Sequence, residues 1–193
     1  MQDQVETEAF LRGRLPDDIT SSITGNTSVE LKEIPVKWLA IFRNNGSGFG
    51  GNISARINVV DVSVVANGDD PLKTEGKVTC EIEVTPDMCN SNGILNEGCI
   101  IYLIDECSTL AMVVINAHTG LNTPPGVSQT INTFFHFPGV IGTKLRIIST
   151  SLASGEETNT GRCDVWDKDK HRLIATGIQQ TTLPSRPAKW LKG

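Results

Sequence analysis

Residues 94–117 read ILNEGCIIYLIDECSTLAMVVINA, an apolar run interrupted by Glu97, Asp105, Glu106 and a few small polar residues. A run of this length without alternation predicts a helix over 97–116. It is apolar nearly all round, so it must be buried nearly all round. On either side the pattern changes to the two-residue period of strands. Segments 53-ISARINVVDVSVV-65 and 76-GKVTCEIEV-84 alternate before it. Segments 127-VSQTINTFFHF-137, 144-KLRIISTSLA-153, 157-ETNTGRCDVWD-167 and 172-RLIATGIQQT-181 alternate after it. Turn signals at Pro138-Gly139, Ser154-Gly155 and Asp167–Lys170 separate the later runs. Strands on both sides of one buried helix predict an α+β fold. An antiparallel sheet wraps the helix, and a second copy of the chain closes what remains.

The chain outside this unit is polar. Residues 1–30 are rich in Ser, Thr and Asp, which predicts a mobile arm. In 34-IPVKWLAIFRNN-45, Pro35 suits a first helical position, and Trp38, Leu39, Ile41 and Phe42 form an apolar stripe, so a short helix is predicted there. The stretch 46-GSGFGG-51 matches G-x-G-x-x-G at Gly46, Gly48 and Gly51. A dinucleotide site needs a strand before those glycines and a helix after them. Here the order is inverted, so the stretch reads as a loop. The division is an arm over 1–50, a domain over 51–182 and a tail over 183–193.

Composition narrows the partners. The chain has 193 residues, 38% of them hydrophobic, enough for one domain with a substantial core. Its net charge of −5 is spread along the chain without a basic block, which argues against nucleic acid. Cys80, Cys89, Cys99, Cys107 and Cys163 are odd in number and contain no C-x-x-C pair. They read as reduced thiols, with no disulfide framework and no metal site. The acidic start MQDQVETEAF has no secretory or transit pattern, so an intracellular location, cytoplasmic or mitochondrial, is expected. Asp105 and Glu106 lie near the middle of the apolar run, where an acid costs roughly 2.5–3.5 kcal/mol in a bilayer. The run is therefore expected in a protein core and not across a membrane.

The two acids are about 100° apart around a helix and cannot face the same wall. Glu106 is expected at solvent or a subunit boundary, with Asp105 in a crevice. Ile101, Tyr102, Ser108, Thr109 and Met112 share the Asp105 face. A carboxylate there is partly desolvated and more basic. It is either a chemical group or a structural one satisfied by hydroxyls or a second subunit.

The segment 90-NSNGILNEGCIIYLIDECST-109 resembles the active-site region of hotdog-fold acyl-CoA thioesterases of the PaaI and acyl-CoA thioesterase 13 type. Asn90, Gly93 and Asp105 fall at matching positions. The later half resembles the family's strands, with the run PGVS at 125–128, a Pro-x-x-x-Gly turn from Pro138 to Gly142 and LIATG at 173–177. The likeness covers roughly 76–181. It implies a hotdog fold and hydrolysis of an acyl-CoA or related thioester, with no cofactor beyond the CoA thioester itself. Asp105 would be general base or nucleophile, Asn90 would position substrate or water, and Ser128 would orient the water. The Glu97 and Gly98 N–H groups would bind the carbonyl oxygen. The site would draw on both subunits of a dimer, with a dimer of dimers as a further possibility. One motif departs: Asn96-Glu97-Gly98 stands where the family has His-Gly-Gly. An inward Glu97 would repel the oxyanion, and an outward one would complement the helix dipole.

Asn96, Tyr102, Thr109 and His136 are candidates to line the substrate pocket. Lys144, Arg146, Lys170 and Arg172 are candidates for the CoA phosphates, the last two within a KDKHR stretch that also reads as a turn. His118 and His171 read as solvated, and no G-x-S-x-G elbow is present. The altered motif keeps two other readings open. One is a hotdog protein that binds an acyl thioester or hydrophobic metabolite without turnover. The other is a hotdog enzyme of different chemistry that uses Glu97.

Overall fold

The computed structural model describes residues 7, 9–43, 48–121 and 123–183. Its centre is a 22-residue helix, α2 (Glu97–His118), held against one six-stranded antiparallel sheet. The strands are β1 (Asn58–Ala66), β2 (Thr74–Glu83), β3 (Val127–Phe135), β4 (Lys144–Ala153), β5 (Thr158–Asp167) and β6 (Arg172–Thr182). Their order across the sheet is β1-β2-β4-β5-β6-β3. From Leu103 to Asn116 every α2 residue is buried except Asp105 and Glu106. The sheet covers one side of α2, and a second helix, α1 (Val29–Phe42), packs on it and on β1. Two glycines set how closely α2 approaches. A Cβ at Gly76 would lie 2.4 Å from the Ala111 carbonyl, and one at Gly177 would lie 2.6 Å from Ile104 Cγ2.

The two edges of the sheet differ. Beyond β1, Thr24 exchanges backbone hydrogen bonds with the strand, accepting from Val62 and donating to Val60 (3.1 and 3.0 Å). Asn26 pairs through its side chain with both backbone groups of Val64. The β3 edge carries no further strand among the described residues, and Val127, Phe134 and Phe135 on it are exposed. One edge is thus covered by the chain itself and the other is open.

Several expectations need correction. The described part of the N-terminal arm is docked, not mobile. Ile23 is buried, Arg14 bonds Glu33 (2.9 Å), and the buried Lys37 bonds Glu33 (2.7 Å) and the carbonyls of Leu11 and Gly13. Helix α1 starts six residues earlier than Pro35 because Ser28 caps it through the Leu31 N–H, and Pro35 lies inside. Residues 53–57 are not strand: Gly51–Ser54 is a helical turn following Gly50, and β1 begins at Asn58. Strand β3 ends at Phe135, two residues short of the expected limit. Residues 44–47 and 184–193 of the loop and tail lie outside the described residues.

Candidate active site

Asp105 lies midway along α2 and faces β6 and β3. Its Oδ1 accepts from the Ser128 hydroxyl at 2.7 Å and from the Gln179 amide Nε2. The same Nε2 donates to Ser128 Oγ at 2.8 Å. On its other side, Gln179 Oε1 accepts from Ser108 and, at 3.1 Å, from Thr109. The single Thr109 proton is shared between Gln179 Oε1 and the nearer Asp105 carbonyl (2.9 Å). Gln179, Ser108 and Thr109 are buried, Asp105 is partly buried, and Ser128 is exposed. No hydrogen bond from the described residues reaches Asp105 Oδ2. The carboxylate therefore has one oxygen held by the protein and one without a hydrogen bond among the described residues.

A backbone irregularity puts Ser128 there. Ile131, Thr133 and Phe135 pair opposite Gln179, Gly177 and Ala175, whose positions on β6 are buried. Strict alternation would then turn Gln129 inward and Ser128 outward. The register shifts between Ser128 and Thr130, so that Ser128 pairs with Thr181 and turns inward. A bulge of this kind re-aims one side chain.

A second group of residues surrounds the start of α2. Asn96 caps the helix, accepting from the Gly98 N–H at 2.8 Å. Asn90 Oδ1 accepts from the N–H groups of Asn92 and Ile94 (3.0 and 3.2 Å), tying a turn in which Gly93 has φ +71°. Its amide nitrogen makes no bond among the described residues. Glu97 is exposed in the first helical turn, where its charge complements the helix dipole. Gly98 and Asp105 are seven residues apart on nearly the same helix face, a rise of roughly 10 Å. Within one chain the helix-start group and the Asp105 group do not meet.

The chain is 30% identical over 102 residues to human acyl-coenzyme A thioesterase 13, a match spanning 53% of this chain and 69% of the human protein. The mouse protein of the same name is 30% identical over 101 residues, 52% of this chain and 69% of its own. The chain belongs to this family of hotdog thioester hydrolases. Among solved structures, zebrafish thioesterase superfamily member 2 superposes with a TM-score of 0.60 at 25% identity, covering 77% of this chain and 97% of that one. The E. coli PaaI protein shares the fold, with a TM-score of 0.52 at 14% identity over 77% of this chain and 94% of its own. No protein-family model matches the chain.

The remaining candidates in this thioesterase fall in different places. Thr109, expected to line the pocket, is buried and bonds Gln179, so it supports the site from behind. Tyr102 donates to the Gly50 carbonyl (3.2 Å) and packs edge-on against exposed Phe49, turning away from Asp105. His136 is exposed just past the end of β3, eight residues beyond Ser128 and roughly 25 Å away, and does not join the Asp105 group of its own chain.

Lys144, Arg146, Lys170 and Arg172 gather at one end of the sheet, as the register of β2, β4, β5 and β6 requires. Three of them lie near carboxylates: Arg146 near Glu81 (3.9 Å), and Lys170 and Arg172 near Asp167 (3.9 and 4.0 Å). Among the described residues no group of His, Cys, Asp and Glu is placed to hold a metal ion. All five cysteines are unpaired.

Glu106 departs from one of its two expected settings, open solvent. It turns toward the Gly51–Ser54 turn, with Ser54 Oγ at 3.5 Å, and toward Tyr102. Burial, then the neighbouring Asp105 charge, push its carboxyl up to about 7, against a weaker downward pull from Ser54. Burial and Glu106 in turn push the Tyr102 phenol up to about 12.

No sequence motif singles out Gln179. Its signal was present: within 172-RLIATGIQQT-181, Gln179 occupies the same phase as Ala175 and Gly177, the phase that faces α2. A long amide on a core phase must find partners there.

Proposed function

We propose that this thioesterase hydrolyses acyl-CoA thioesters with Asp105 as general base. The observation that supports this best is the division of labour on the Asp105 carboxylate, with Oδ1 held by Ser128 and Gln179 and Oδ2 unbonded. Oδ2 takes a proton from a water as the water oxygen attacks the thioester carbonyl. The carbonyl oxygen gains charge and is met by the N–H groups of Glu97 and Gly98, at the positive end of the α2 dipole. For Gly98 to contribute, Asn96 must share or yield the N–H it holds. Collapse of the intermediate breaks the C–S bond. The proton on Asp105 passes to the leaving CoA sulfur, giving the free acid and CoA. Ser128 acts by holding Asp105, and the Asn90 amide nitrogen orients the bound substrate. No cofactor is needed.

On this reading, the separation of roughly 10 Å within one chain is bridged by a second subunit. We place the helix start of one copy against Asp105 of the other, with the two α2 helices antiparallel about a two-fold axis. The midpoint between Gly98 and Asp105 falls beside Ile101, an exposed apolar residue on this helix. The open β3 edge, with exposed Phe134 and Phe135, gives the two sheets a seam on which to pair.

The test is CoA release from short, long and aromatic acyl-CoAs by wild type and by Asp105→Asn. A general base contributes about 10²–10⁴-fold, so the variant should lose at least about 100-fold in kcat with its assembly intact. Retained acyl-CoA binding with no release from any member of the panel by wild type would instead leave a non-hydrolytic binder.

A further inference from the structure

We infer that Gln179 is the positioning residue of the reaction, and that its amide, more than the pocket wall, fixes which Asp105 oxygen does the chemistry. The inference rests on Asp105 being the base. Gln179 is fully buried on β6, one strand in from the open edge, and makes no contact with solvent. Its amide has only one workable orientation. The Asp105 carboxylate can only accept, so the amide nitrogen faces it and Oε1 turns to the Ser108 hydroxyl, with Thr109 Oγ1 at 3.1 Å. The flipped amide would put that oxygen against the Asp105 carboxylate, two acceptors face to face. With Oε1 pinned, both Nε2 protons are assigned, one to Asp105 Oδ1 and one to Ser128 Oγ. Ser128, already accepting from Gln179, turns its single proton to Asp105 Oδ1 as well.

This ordering has a chemical consequence. Two donors on Oδ1 leave Oδ2 as the oxygen free to meet the water. They also lock the Asp105 side chain against rotation. Without Gln179, Ser128 sits on an exposed edge strand with one bond to offer, and either carboxylate oxygen can face the water. A displacement of about 1 Å in a reacting group can lower the rate about 100-fold. Ser108 and Thr109 thus act at one remove, through the amide they orient.

The experiment compares Gln179→Met and Gln179→Glu with Asp105→Asn in the full chain. It uses the acyl-CoA that wild type turns over fastest, and reads kcat, KM and the pH–rate profile, with circular dichroism and sedimentation as folding checks. Met keeps the length of the side chain without a donor. Gln179→Met should lower kcat by about 100-fold and leave KM within about threefold, because the lost interaction serves the attacking group and not substrate binding. Gln179→Glu puts a second carboxylate against Oδ1. It should move the acidic limb of the profile upward by about one pH unit or more. A role confined to core packing would lower yield or melting temperature and leave that limb where it is. Folded Gln179 variants with wild-type kcat and profile, beside an inactive Asp105→Asn, overturn the inference and leave the proposed base standing. Wild-type turnover by Asp105→Asn removes both.

Discussion

Glu106→Gln should stabilise this protein above neutral pH and do nothing to it in acid. Glu106 is partly buried between α2 and the Gly51–Ser54 turn, beside Asp105, and its carboxyl is raised from 4.5 to about 7. The folded state therefore binds a proton more tightly than the unfolded chain. Below about 4.5 both states hold the proton and the favourable effect of burial is fully present. Between 4.5 and 7 the unfolded chain releases its proton first, so stability falls as pH rises. Above 7 the folded state carries a charge that burial and Asp105 both oppose. At about 1.4 kcal/mol per pH unit the rise corresponds to about 3 kcal/mol, and partial exposure brings the expected difference to about 2–3 kcal/mol.

Glutamine keeps the size and can still meet Ser54, but has no charge to bury. Urea unfolding of wild type and variant, at one fixed protomer concentration, is measured from pH 4 to pH 9. The two stability curves should coincide near pH 4 and separate through pH 5–7, with the variant higher. Curves that run parallel across the whole range would refute the reasoning. Asp105→Asn offers an internal control. Removing the nearby charge should narrow the separation but not abolish it, because burial is the larger cause.

Two further predictions test assembly and the arm. Asn90→Ala and Asp105→Asn, each weak alone, should regain about a quarter of wild-type activity when unfolded together and refolded in equal amounts. Half of the dimers are then mixed, and each mixed dimer has one intact site. A mixture no better than the sum of its parts would mean that each site belongs to one chain. Lys37→Met removes the main partner of Glu33, which is 1% exposed, and frees the Leu11 and Gly13 carbonyls. With Arg14 still in place it should destabilise by about 3 kcal/mol in urea unfolding, and a loss below about 0.5 kcal/mol would mark the pair as a surface feature.

The strands are legible because their alternation survives without tertiary context, and the central helix because its apolar run is long and does not alternate. Strand β4 was read to the residue from KLRIISTSLA, whose alternation is unbroken. What failed was decided at longer range. The Ser- and Thr-rich segment before α1 looks like a loose arm in isolation. It is held because Thr24, Asn26 and Thr27 find the bare backbone of β1, and because Glu33 and Lys37 neutralise each other in a place no local pattern reveals. Ile53 and Ile57 carry strand propensity, yet Gly50 at φ +66° starts a helical turn there instead, with the Tyr102 ring directly over it.

The site divides in the same way. Asp105 stood out because an acid in an apolar helix demands an explanation, and Asn90 and Ser128 came from motif likeness. Gln179 came from neither, since its significance depends on three elements meeting. Helix α2 brings Asp105, Ser108 and Thr109, the bulge in β3 turns Ser128 inward, and β6 places an amide between them. Glu106 is out of open solvent for the same reason, because only the fold brings the Gly51–Ser54 turn against it. On the proposed mechanism one chain is not enough. A single helix carries both halves of the chemistry on nearly one face, two turns apart, and one thioester cannot span that rise. The same chain leaves one sheet edge open and an isoleucine exposed between the two halves. An antiparallel second copy answers all three features together, and that convergence is why the mixed-dimer experiment bears on mechanism as well as on assembly.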